Sequence, residues 1–206
     1  MPAQRIALIG FSGSGKSLVG RMLAQKIGWA SFDTDREIER NEGISVPSIF
    51  AERGEDEFRK LESAAVAAAC SRTRVVISTG GGVPLATENR RHLLGCYIVL
   101  LDAPASALHR RLAQSAIDRP LLRSEDPETR IRTLKEERTP FYDIADLWVD
   151  TAGRTPNEVA DEIRHEWRTA SQHALADPAR EDRVTSRPER RAAAAGTADK
   201  AQPGQG

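Results

Sequence analysis

Gly10-Phe11-Ser12-Gly13-Ser14-Gly15-Lys16-Ser17 is the stretch that decides the fold of this chain, because it matches the pattern G-x-x-x-x-G-K-[ST]. It follows the apolar run 6–9 and precedes apolar residues at helical spacing from Leu18 to Ile27. Glycines allow a loop whose backbone N–H groups point at phosphate oxygens, and the following helix adds the positive end of its dipole. A chance match in a Gly/Ser-rich turn is the alternative, and the flanking strand and helix favour a phosphate-binding loop.

Two side chains of this loop carry the chemistry of a nucleoside triphosphate site. Lys16 supplies a positive charge for the β- and γ-phosphates, and the Ser17 hydroxyl is placed to ligate Mg²⁺. The loop therefore predicts a protein that binds a nucleoside triphosphate together with Mg²⁺.

The length and composition of the chain exclude several classes of protein. Its 206 residues suffice for one α/β domain and a little extra, and its 30 Lys+Arg balance 30 Asp+Glu, so no basic field indicates a nucleic-acid partner. The two cysteines, Cys70 and Cys96, form no C-x-x-C pair and are interpreted as buried or idle thiols in a reducing cytosol. The first residues do not resemble a signal peptide, and no apolar run approaches the length of a membrane span. We therefore expect a cytoplasmic protein with no membrane or nucleic-acid partner.

A second apolar segment, residues 29–32, ends in Asp33-Thr34-Asp35. At this strand-end spacing Asp33 and Asp35 are expected to lie on the same side of the pleat and to face one pocket. Ligands of parallel sheets bind at the carboxyl ends of the strands, which is where this pair falls. The alternative is a solvated turn in which Asp33 caps a helix that begins at Arg36.

Two later segments have more than one interpretation. A helix predicted to begin near Ser45 contains the densely charged residues 54–60, and such a run is typical of a solvated helix face. The predicted strand 74–78 runs into Gly80-Gly81-Gly82, which permits close approach of the backbone to a ligand and exposes N–H groups. A flexible loop is the alternative for the three glycines.

Residues 114–127 lose the apolar periodicity of the helices around them and contain prolines, acids and Arg119. A polar, breaker-rich insertion in a phosphate-loop protein suggests a mobile lid, which we place at about 112–127, and an ordinary surface loop is the alternative. The tail 173–206 holds too few large apolar residues to offset its ordering entropy. We expect residues 1–172 to form the domain and the tail to be disordered.

Strands and helices alternate along the chain, and each special stretch falls just after a predicted strand. This arrangement is typical of a doubly wound α/β domain with its site at the carboxyl edge of the sheet. The loop, two carboxylates, three glycines and scattered arginines together indicate a Mg²⁺-dependent nucleoside-triphosphate protein with a second small ligand. The size of the chain favours a small-molecule kinase.

Six motifs in collinear order give the chain a resemblance to a known family over roughly residues 4–170. They are Gly10–Ser17, Asp33-Thr34-Asp35, Gly54-Glu55-x-x-Phe58-Arg59, Gly80-Gly81-Gly82, Arg119-Pro120-Leu121-Leu122 and Arg138-x-Pro140-x-Tyr142. With these six motifs the chain resembles the shikimate kinases, which belong to the nucleoside-monophosphate-kinase structural group. The resemblance implies a three-layer α/β/α P-loop kinase fold, with a central five-stranded parallel sheet of order 2-3-1-4-5 and a mobile lid.

The resemblance also implies an activity: phosphorylation of the 3-hydroxyl of shikimate by ATP and Mg²⁺, in a monomer of the aromatic amino-acid pathway. It assigns catalysis to Lys16, Asp35 and Arg119, and metal binding to Ser17 and Asp33. The implied ATP-binding residues are Gly13, Ser14, Gly15, Lys16, Ser17, Leu18, Arg119 and Arg154. The implied shikimate-binding residues are Asp35, Arg59, Gly80, Gly81, Gly82 and Arg138, of which the two arginines form a fork for the carboxylate.

The chain departs from the family pattern around the lid and after Tyr142. The family commonly has an arginine seven positions before the Arg-Pro pair, where this chain has Leu112 preceded by Arg111. Residues 113–118 have lost much of the usual basic character, and Asp143 stands where a basic residue is common. Two rival interpretations stay open: a kinase of the same fold for another metabolite, such as gluconate, and an idle module that signals by binding nucleotide.

Overall fold

The computed structural model of the chain describes residues 3–114 and 126–172. The central part of the predicted lid, with Arg119, and the predicted disordered tail 173–206 lie outside the described residues. Within the described ranges the strands are β1 Arg5–Ile9, β2 Ala30–Asp33, β3 Val75–Ser78, β4 Tyr97–Asp102 and β5 Leu147–Asp150. The helices there are α1 Lys16–Ile27, α2 Thr34–Glu42, α3 Val46–Cys70, α4 Thr87–Leu93, α5 Ala105–Ala113, α6 Pro127–Tyr142 and α7 Pro156–Gln172, with a 3₁₀ turn at Val83–Leu85.

The five strands form one parallel sheet in the order β2-β3-β1-β4-β5, which confirms the predicted topology. In the middle of the sheet, Leu8 of β1 pairs with Ser78 of β3 on one side and with Val99 of β4 on the other. Because β1 is the central strand, the loop after it lies at the middle of the carboxyl edge. Residues that follow β3 and β4 therefore converge on the phosphate loop.

The side chains of β1 alternate between two apolar layers, as the period of a strand requires. Ile6 and Leu8 pack with residues of α1 and α7, whereas Ala7 and Ile9 pack with residues of α3, α4 and α6. All four side chains are completely buried. The sheet is covered by helices on both faces, which confirms the three-layer α/β/α architecture.

The strand β2 ends earlier than the sequence suggested. It stops at Asp33, and α2 begins at Thr34, so Asp35 lies in the first turn of a helix and the pleat argument for the two carboxylates is wrong. The helix begins here because Asp33 takes the N-cap position, where its Oδ1 accepts a hydrogen bond from the backbone N–H of Arg36 at 3.3 Å. The start of α2, rather than an extended strand, brings Asp35 to the carboxyl edge of the sheet.

Helix α3 is also not the uninterrupted helix that its apolar spacing predicts. Ser45 caps its start by accepting a hydrogen bond from the backbone of Ser48, but Gly54 has φ 82° and ψ 173°. This conformation is essentially restricted to glycine. The interruption divides α3 into two segments, and Arg59 lies near the beginning of the second.

The two cysteines lie in the same apolar layer. Cys70 and Cys96 are buried and form no disulfide, and their sulfur atoms are 4.0 Å apart. This agrees with the interpretation of both as buried thiols. Among residues 3–114 and 126–172, no helix is both long enough and apolar enough to cross a lipid bilayer.

Candidate active site

The phosphate loop turns sharply after β1. Gly13 and Gly15 have φ values of 83° and 97°, which residues with side chains rarely adopt. Gly10 has no room for a side chain, because a Cβ there would collide with the carbonyl oxygen of Leu101. Helix α1 begins at Lys16, so the loop leads into the positive end of a helix dipole. The loop has the local geometry that phosphate binding requires.

Two polar groups of the loop are buried inside it. The Lys16 side chain folds back over the loop, and its Nζ donates to the carbonyl oxygens of Gly10 at 2.8 Å and Phe11 at 2.9 Å. The Ser14 Oγ is buried and has no hydrogen-bond partner among the described residues. Buried polar atoms are nearly always hydrogen-bonded in native proteins. A phosphate oxygen held by this loop would give the Ser14 hydroxyl its missing acceptor.

The two predicted metal ligands occupy different elements. Ser17 is exposed in the first turn of α1, and Asp33 is half-buried at the end of β2, where its Oδ1 also caps α2. Within the part of the chain that the structure describes, no three His, Cys, Asp or Glu side chains cluster so as to hold a metal ion by themselves.

Three charged side chains meet at the glycine triplet after β3. The Nη1 of Arg59 donates to Oε2 of Glu62 at 2.8 Å, and a Cβ on Gly82 would collide with the Arg59 guanidinium. A Cβ on Gly80 would lie 2.7 Å from Oε1 of Glu62 and 2.8 Å from Oδ1 of Asp35. The glycines are therefore needed because the backbone runs directly against these side chains.

The second predicted arginine reaches the same region from α6. Arg138 is 9% exposed, and the Cζ of its guanidinium lies 5.2 Å from the centre of the Phe11 ring in the phosphate loop. The positive charge of Arg138 acts on Tyr142 and on Glu62, where it opposes the rise in pKa that burial causes. Arg59 and Arg138, which are far apart in sequence, thus both act on the same buried carboxylate.

Two side chains hold the backbone of the glycine triplet. The N–H of Gly80 donates to Oγ1 of Thr34 at 2.9 Å, and the Tyr142 hydroxyl donates to the carbonyl oxygen of Gly81 at 2.9 Å. The N–H of Gly80 therefore has a partner within the protein. If the triplet offers N–H donors to a ligand, they belong to Gly81 and Gly82.

Burial dominates the electrostatics of this cluster. It raises the pKa of Glu62, while the neighbouring Arg59 opposes the rise and the nearby Asp35 adds to it. Burial likewise raises the pKa of Tyr142 to about 12. The Tyr142 hydroxyl consequently stays protonated at neutral pH and continues to donate to Gly81.

A third arginine connects the phosphate loop to the loop after β5. Arg111 donates to the carbonyl oxygen of Gly13 at 3.3 Å, to Oγ1 of Thr151 at 2.9 Å and to the carbonyl oxygen of Thr151 at 2.6 Å. The side chain of Leu112 lies close to Gly13, so that a Cβ on this glycine would be 3.0 Å from Leu112 Cγ. The departure from the family pattern at Leu112 thus places an apolar side chain beside the phosphate loop.

Arg154, predicted to bind ATP, is engaged with the last helix. Its guanidinium forms an ion pair with Glu162 at 2.5 Å and donates to the carbonyl oxygen of Asp150 at 3.1 Å. Arg119, the other arginine that is predicted to bind ATP, lies outside the described residues.

Sequence analysis missed two residues that shape the site, Glu62 and Thr34. Glu62 follows Arg59 by three positions on one helix, and such pairs are neighbours, so this spacing could have identified it. The contact of Thr34 with Gly80 could not have been found in this way, because it depends on β2 lying beside β3 in the sheet.

A phosphate loop at the central strand, with paired arginines and carboxylates beside it, defines the class: this is a P-loop kinase of small molecules. A sequence model described as shikimate kinase matches residues 12–168. The chain belongs to the shikimate kinase family.

Relatives and solved structures agree with this assignment. The shikimate kinase of Caldanaerobacter subterraneus subsp. tengcongensis is 45% identical over 161 residues, which cover 78% of this chain and 94% of the relative. The shikimate kinase of Thermodesulfovibrio yellowstonii is 40% identical over 169 residues, which cover 82% of this chain and 97% of the relative. A structure of the shikimate kinase from Acinetobacter baumannii in complex with shikimate has a TM-score of 0.77 and 34% identity, covering 82% of this chain and 94% of that one. A gluconokinase from Sinorhizobium meliloti, with a TM-score of 0.57 and 20% identity over 83% of this chain and 95% of that one, shares the fold alone.

Proposed function

We propose that this chain transfers the γ-phosphoryl group of ATP to the 3-hydroxyl of shikimate, giving shikimate 3-phosphate and ADP, in aromatic amino-acid biosynthesis. The observation that carries the proposal is a pair of arginines beside the phosphate loop: Arg59 is hydrogen-bonded to the buried Glu62, and Arg138 lies against Phe11 of the loop and acts on Glu62 by its charge. Shikimate is a ring carboxylate with three hydroxyls, and guanidinium groups bind carboxylates through charge-assisted, often bidentate hydrogen bonds. Membership of the family supports the same reaction.

In this proposal the ring acid is bound by side chains on one side and by backbone on the other. Arg59 and Arg138 bind its carboxylate, and Asp35 accepts hydrogen bonds from its ring hydroxyls. The glycine triplet 80–82 provides the backbone contacts. Gly80 allows close approach of the Glu62 and Asp35 side chains, and Gly81 and Gly82 supply N–H donors to the ring acid. Glu62 orients Arg59 without touching the substrate.

The phosphates of ATP are bound by the loop and by Lys16. On binding, the Lys16 Nζ exchanges the carbonyl oxygens of its own loop for the β- and γ-phosphate oxygens. The other residues that line the phosphates are Gly13, Ser14 and Gly15 of the loop and Ser17 and Leu18 of the first turn of α1. Arg119 neutralises charge on the transferring group, and Arg154 contributes to the nucleotide site.

Ser17 and Asp33 fit a Mg²⁺ ion that is held mainly by phosphate oxygens. A hydroxyl and a carboxylate are the hard oxygen donors that Mg²⁺ prefers, and this ion is usually bound through one or two protein ligands plus substrate phosphates. When bound, Mg²⁺ neutralises charge on the β- and γ-phosphates. The orphaned Ser14 hydroxyl in the adjoining loop supports the presence of the phosphates themselves.

The protein's part in the reaction is chiefly to position the reactants. Phosphoryl transfer passes through a loose transition state, so catalysis depends on alignment and on stabilising charge at the phosphoryl oxygens. Asp35 orients the attacking 3-hydroxyl and takes its proton as the bond to phosphorus forms. The lid, at about 112–127, would exclude water from the phosphoryl group.

A coupled assay of ADP release from the full chain tests the reaction. With ATP and Mg²⁺, shikimate should stimulate ADP release far above the rate with ATP alone, and gluconate should not. Product formation is checked by phosphorus NMR of the phosphate monoester, shikimate 3-phosphate. A rate with shikimate that equals the ATP-only rate would contradict the proposal. Stimulation by gluconate but not by shikimate would also contradict it, and would indicate a kinase of the same fold that acts on another metabolite.

We also propose that the protein is a cytoplasmic monomer whose small-molecule partners are ATP or ADP and shikimate. The balanced charge gives no support for a nucleic-acid partner, and two buried cysteines that form no disulfide are consistent with a reducing compartment. Light scattering of the purified chain at micromolar concentration should give the mass of one chain, about 22.6 kDa.

A further inference from the structure

The aromatic side chain of the phosphate loop lies against an arginine of the ring-acid site. Phe11 is the second residue of the loop, and its ring is 1% exposed. The Cζ of Arg138 is 5.2 Å from the centre of this ring, within the range of a cation–π contact. None of the roles assigned above uses this contact.

Phe11 is itself held firmly from two sides. Its ring packs in a buried apolar cluster with Leu108 of α5 and with Ile131 and Leu134 of α6. Its carbonyl oxygen accepts hydrogen bonds from the Nζ of Lys16 at 2.9 Å and from the backbone N–H of Ser14 at 3.2 Å. One residue therefore contacts both the phosphate-binding lysine, through its backbone, and Arg138, through its ring.

The two arginines of the fork are held by different means. Arg59 lies over the ring of Phe58 at 5.4 Å, but it is also hydrogen-bonded to Glu62 and Glu55, each at 2.8 Å. Arg138 lies over the Phe11 ring, and its positive charge acts on Tyr142 and Glu62.

A ring face restrains a guanidinium group without using its hydrogen-bond donors. The aromatic quadrupole attracts the cation, and this attraction is strongest where water is excluded, as it is for a ring that is 1% exposed. The N–H groups of a guanidinium lie in its own plane, so they remain directed outward to an acceptor. The contact can therefore set the position of Arg138 and leave its fork available for a carboxylate.

We propose that Phe11 is a positioning residue, which holds the Arg138 guanidinium ready to bind the substrate carboxylate and fixes its position relative to Lys16. The proposal rests on the proposed function, since it assumes that Arg138 binds the carboxylate. It adds that the phosphate loop contributes to binding of the ring acid through a side chain that touches neither substrate.

Fluorination of the Phe11 ring in the full-length enzyme tests the proposal. Each fluorine weakens the ring quadrupole with little change in size, so 4-fluoro-, 3,5-difluoro- and 3,4,5-trifluorophenylalanine at position 11 should raise the KM for shikimate stepwise. We expect a rise of about threefold to tenfold at the trifluoro ring, with kcat and the Kd of ADP changed less than twofold.

The matched control is Phe32, a buried ring of β2 that has Arg72 at 4.6 Å and lies outside the proposed site. The same fluorinated residues at position 32 should leave the KM for shikimate unchanged. A KM that does not respond at position 11, or that responds equally at position 32, overturns the proposal. An unsubstituted enzyme that does not phosphorylate shikimate overturns the proposed function first, and this inference with it.

A double-mutant cycle gives a second, independent measurement. Phe11→Leu keeps an apolar side chain in the cluster and should lower kcat/KM for shikimate about threefold to tenfold. In an Arg138→Met background the same substitution should have less than a twofold effect, because the group that it positions is gone. Equal effects in both backgrounds would mean that Phe11 acts only through packing, and would overturn the proposal.

Discussion

The phosphate side and the ring-acid side of the site are built in different ways. The phosphate side is one continuous stretch, Gly10–Ser17, and its working parts are a glycine backbone, a helix start and one lysine. The ring-acid side is assembled from side chains on α2, α3 and α6 that meet at a glycine triplet after β3.

This difference separates two kinds of specificity. A backbone nest binds any phosphate chain, since N–H groups and a helix dipole respond to charge alone. A cluster of oriented side chains distinguishes one acid from another, because each guanidinium and carboxylate is held by its neighbours. Loss of one side should therefore leave ligand binding to the other side largely intact.

The largest effect is expected on the phosphate side, from Lys16→Met. Loss of the charge on the transferring group should lower kcat by about 100- to 1,000-fold, in the range found for single groups that stabilise transition-state charge. The Kd of shikimate, measured by calorimetry, should change less than twofold. Lys26→Met is the control, because Lys26 pairs with Asp161 of α7 and should leave kcat unchanged. A large loss of shikimate affinity in Lys16→Met would show that the two sides are not separable.

The converse test is Arg138→Met on the ring-acid side. Removing a buried group that pairs with the substrate carboxylate should lower kcat/KM for shikimate by about 100-fold. The Kd of ADP should stay within about twofold, because the carboxylate site and the phosphate loop bind their ligands separately.

The control is Arg132→Met, because Arg132 is an exposed arginine of α6, the helix that also carries Arg138. Its kcat/KM for shikimate and its Kd of ADP should equal those of the unmodified enzyme. If ADP affinity fell in Arg138→Met as far as shikimate affinity, the assignment of Arg138 to the carboxylate would be wrong.

A smaller effect is expected from Glu62→Gln, which tests how the ring-acid side is held. Glu62 is 1% exposed, and a charge-assisted hydrogen bond at a buried site contributes enough that its loss should raise the KM for shikimate about tenfold. Glu55→Gln is the matched control, since Glu55 binds the same arginine at 2.8 Å but its side chain is 51% exposed. We expect the KM for shikimate to change less than twofold in Glu55→Gln. Equal effects of the two substitutions would contradict a special role for the buried carboxylate.

The glycine triplet connects the two sides, and Thr34→Val tests its support. The substitution leaves the N–H of Gly80 buried without an acceptor, so the free energy of unfolding in urea should fall by about 1–3 kcal/mol. Thr34→Ser keeps the hydroxyl, so its free energy of unfolding should fall clearly less than that of Thr34→Val. If the valine variant were as stable as the serine variant, this hydrogen bond would contribute nothing to the fold.

The smallest predicted effect is a pH dependence of stability that originates in Glu62. Burial raises the pKa of Glu62 above its ordinary value of 4.5, so the folded state binds this proton more tightly than the unfolded state. The stabilising contribution is complete below pH 4.5 and decreases as the pH rises through the folded-state pKa. Charged groups that face Glu62 are Arg59, Arg138 and Asp35.

Urea unfolding at several pH values measures this contribution. The stability of Glu62→Gln relative to the unmodified protein should increase from low pH toward neutral pH. A difference that stays constant would mean that Glu62 has an ordinary pKa.

The sequence predicted those parts of the molecule that depend on local or periodic patterns. The phosphate loop was predicted because its residues are contiguous, and the α/β class because strands and helices alternate. Resemblance to a family, rather than pattern alone, predicted the sheet order and selected Arg59 and Arg138.

Other features depend on competition that a sequence pattern does not resolve. Asp33 caps a helix instead of extending the strand, so Asp35 reaches the site from α2. Gly54 interrupts α3 although the apolar spacing continues across it. The support of Gly80 by Thr34 exists because β2 and β3 are neighbours.

By itself the sequence determined that this protein has a phosphate loop at the head of a helix within a parallel α/β domain. Only the tertiary structure decided that Phe11 lies against Arg138, and that Glu62, hydrogen-bonded to Arg59, also feels the charge of Arg138 from a different helix. The physical reason is the range of the interactions. Backbone conformation is set by neighbours along the chain, whereas a buried charge is stabilised by whichever side chains the fold brings within hydrogen-bonding distance.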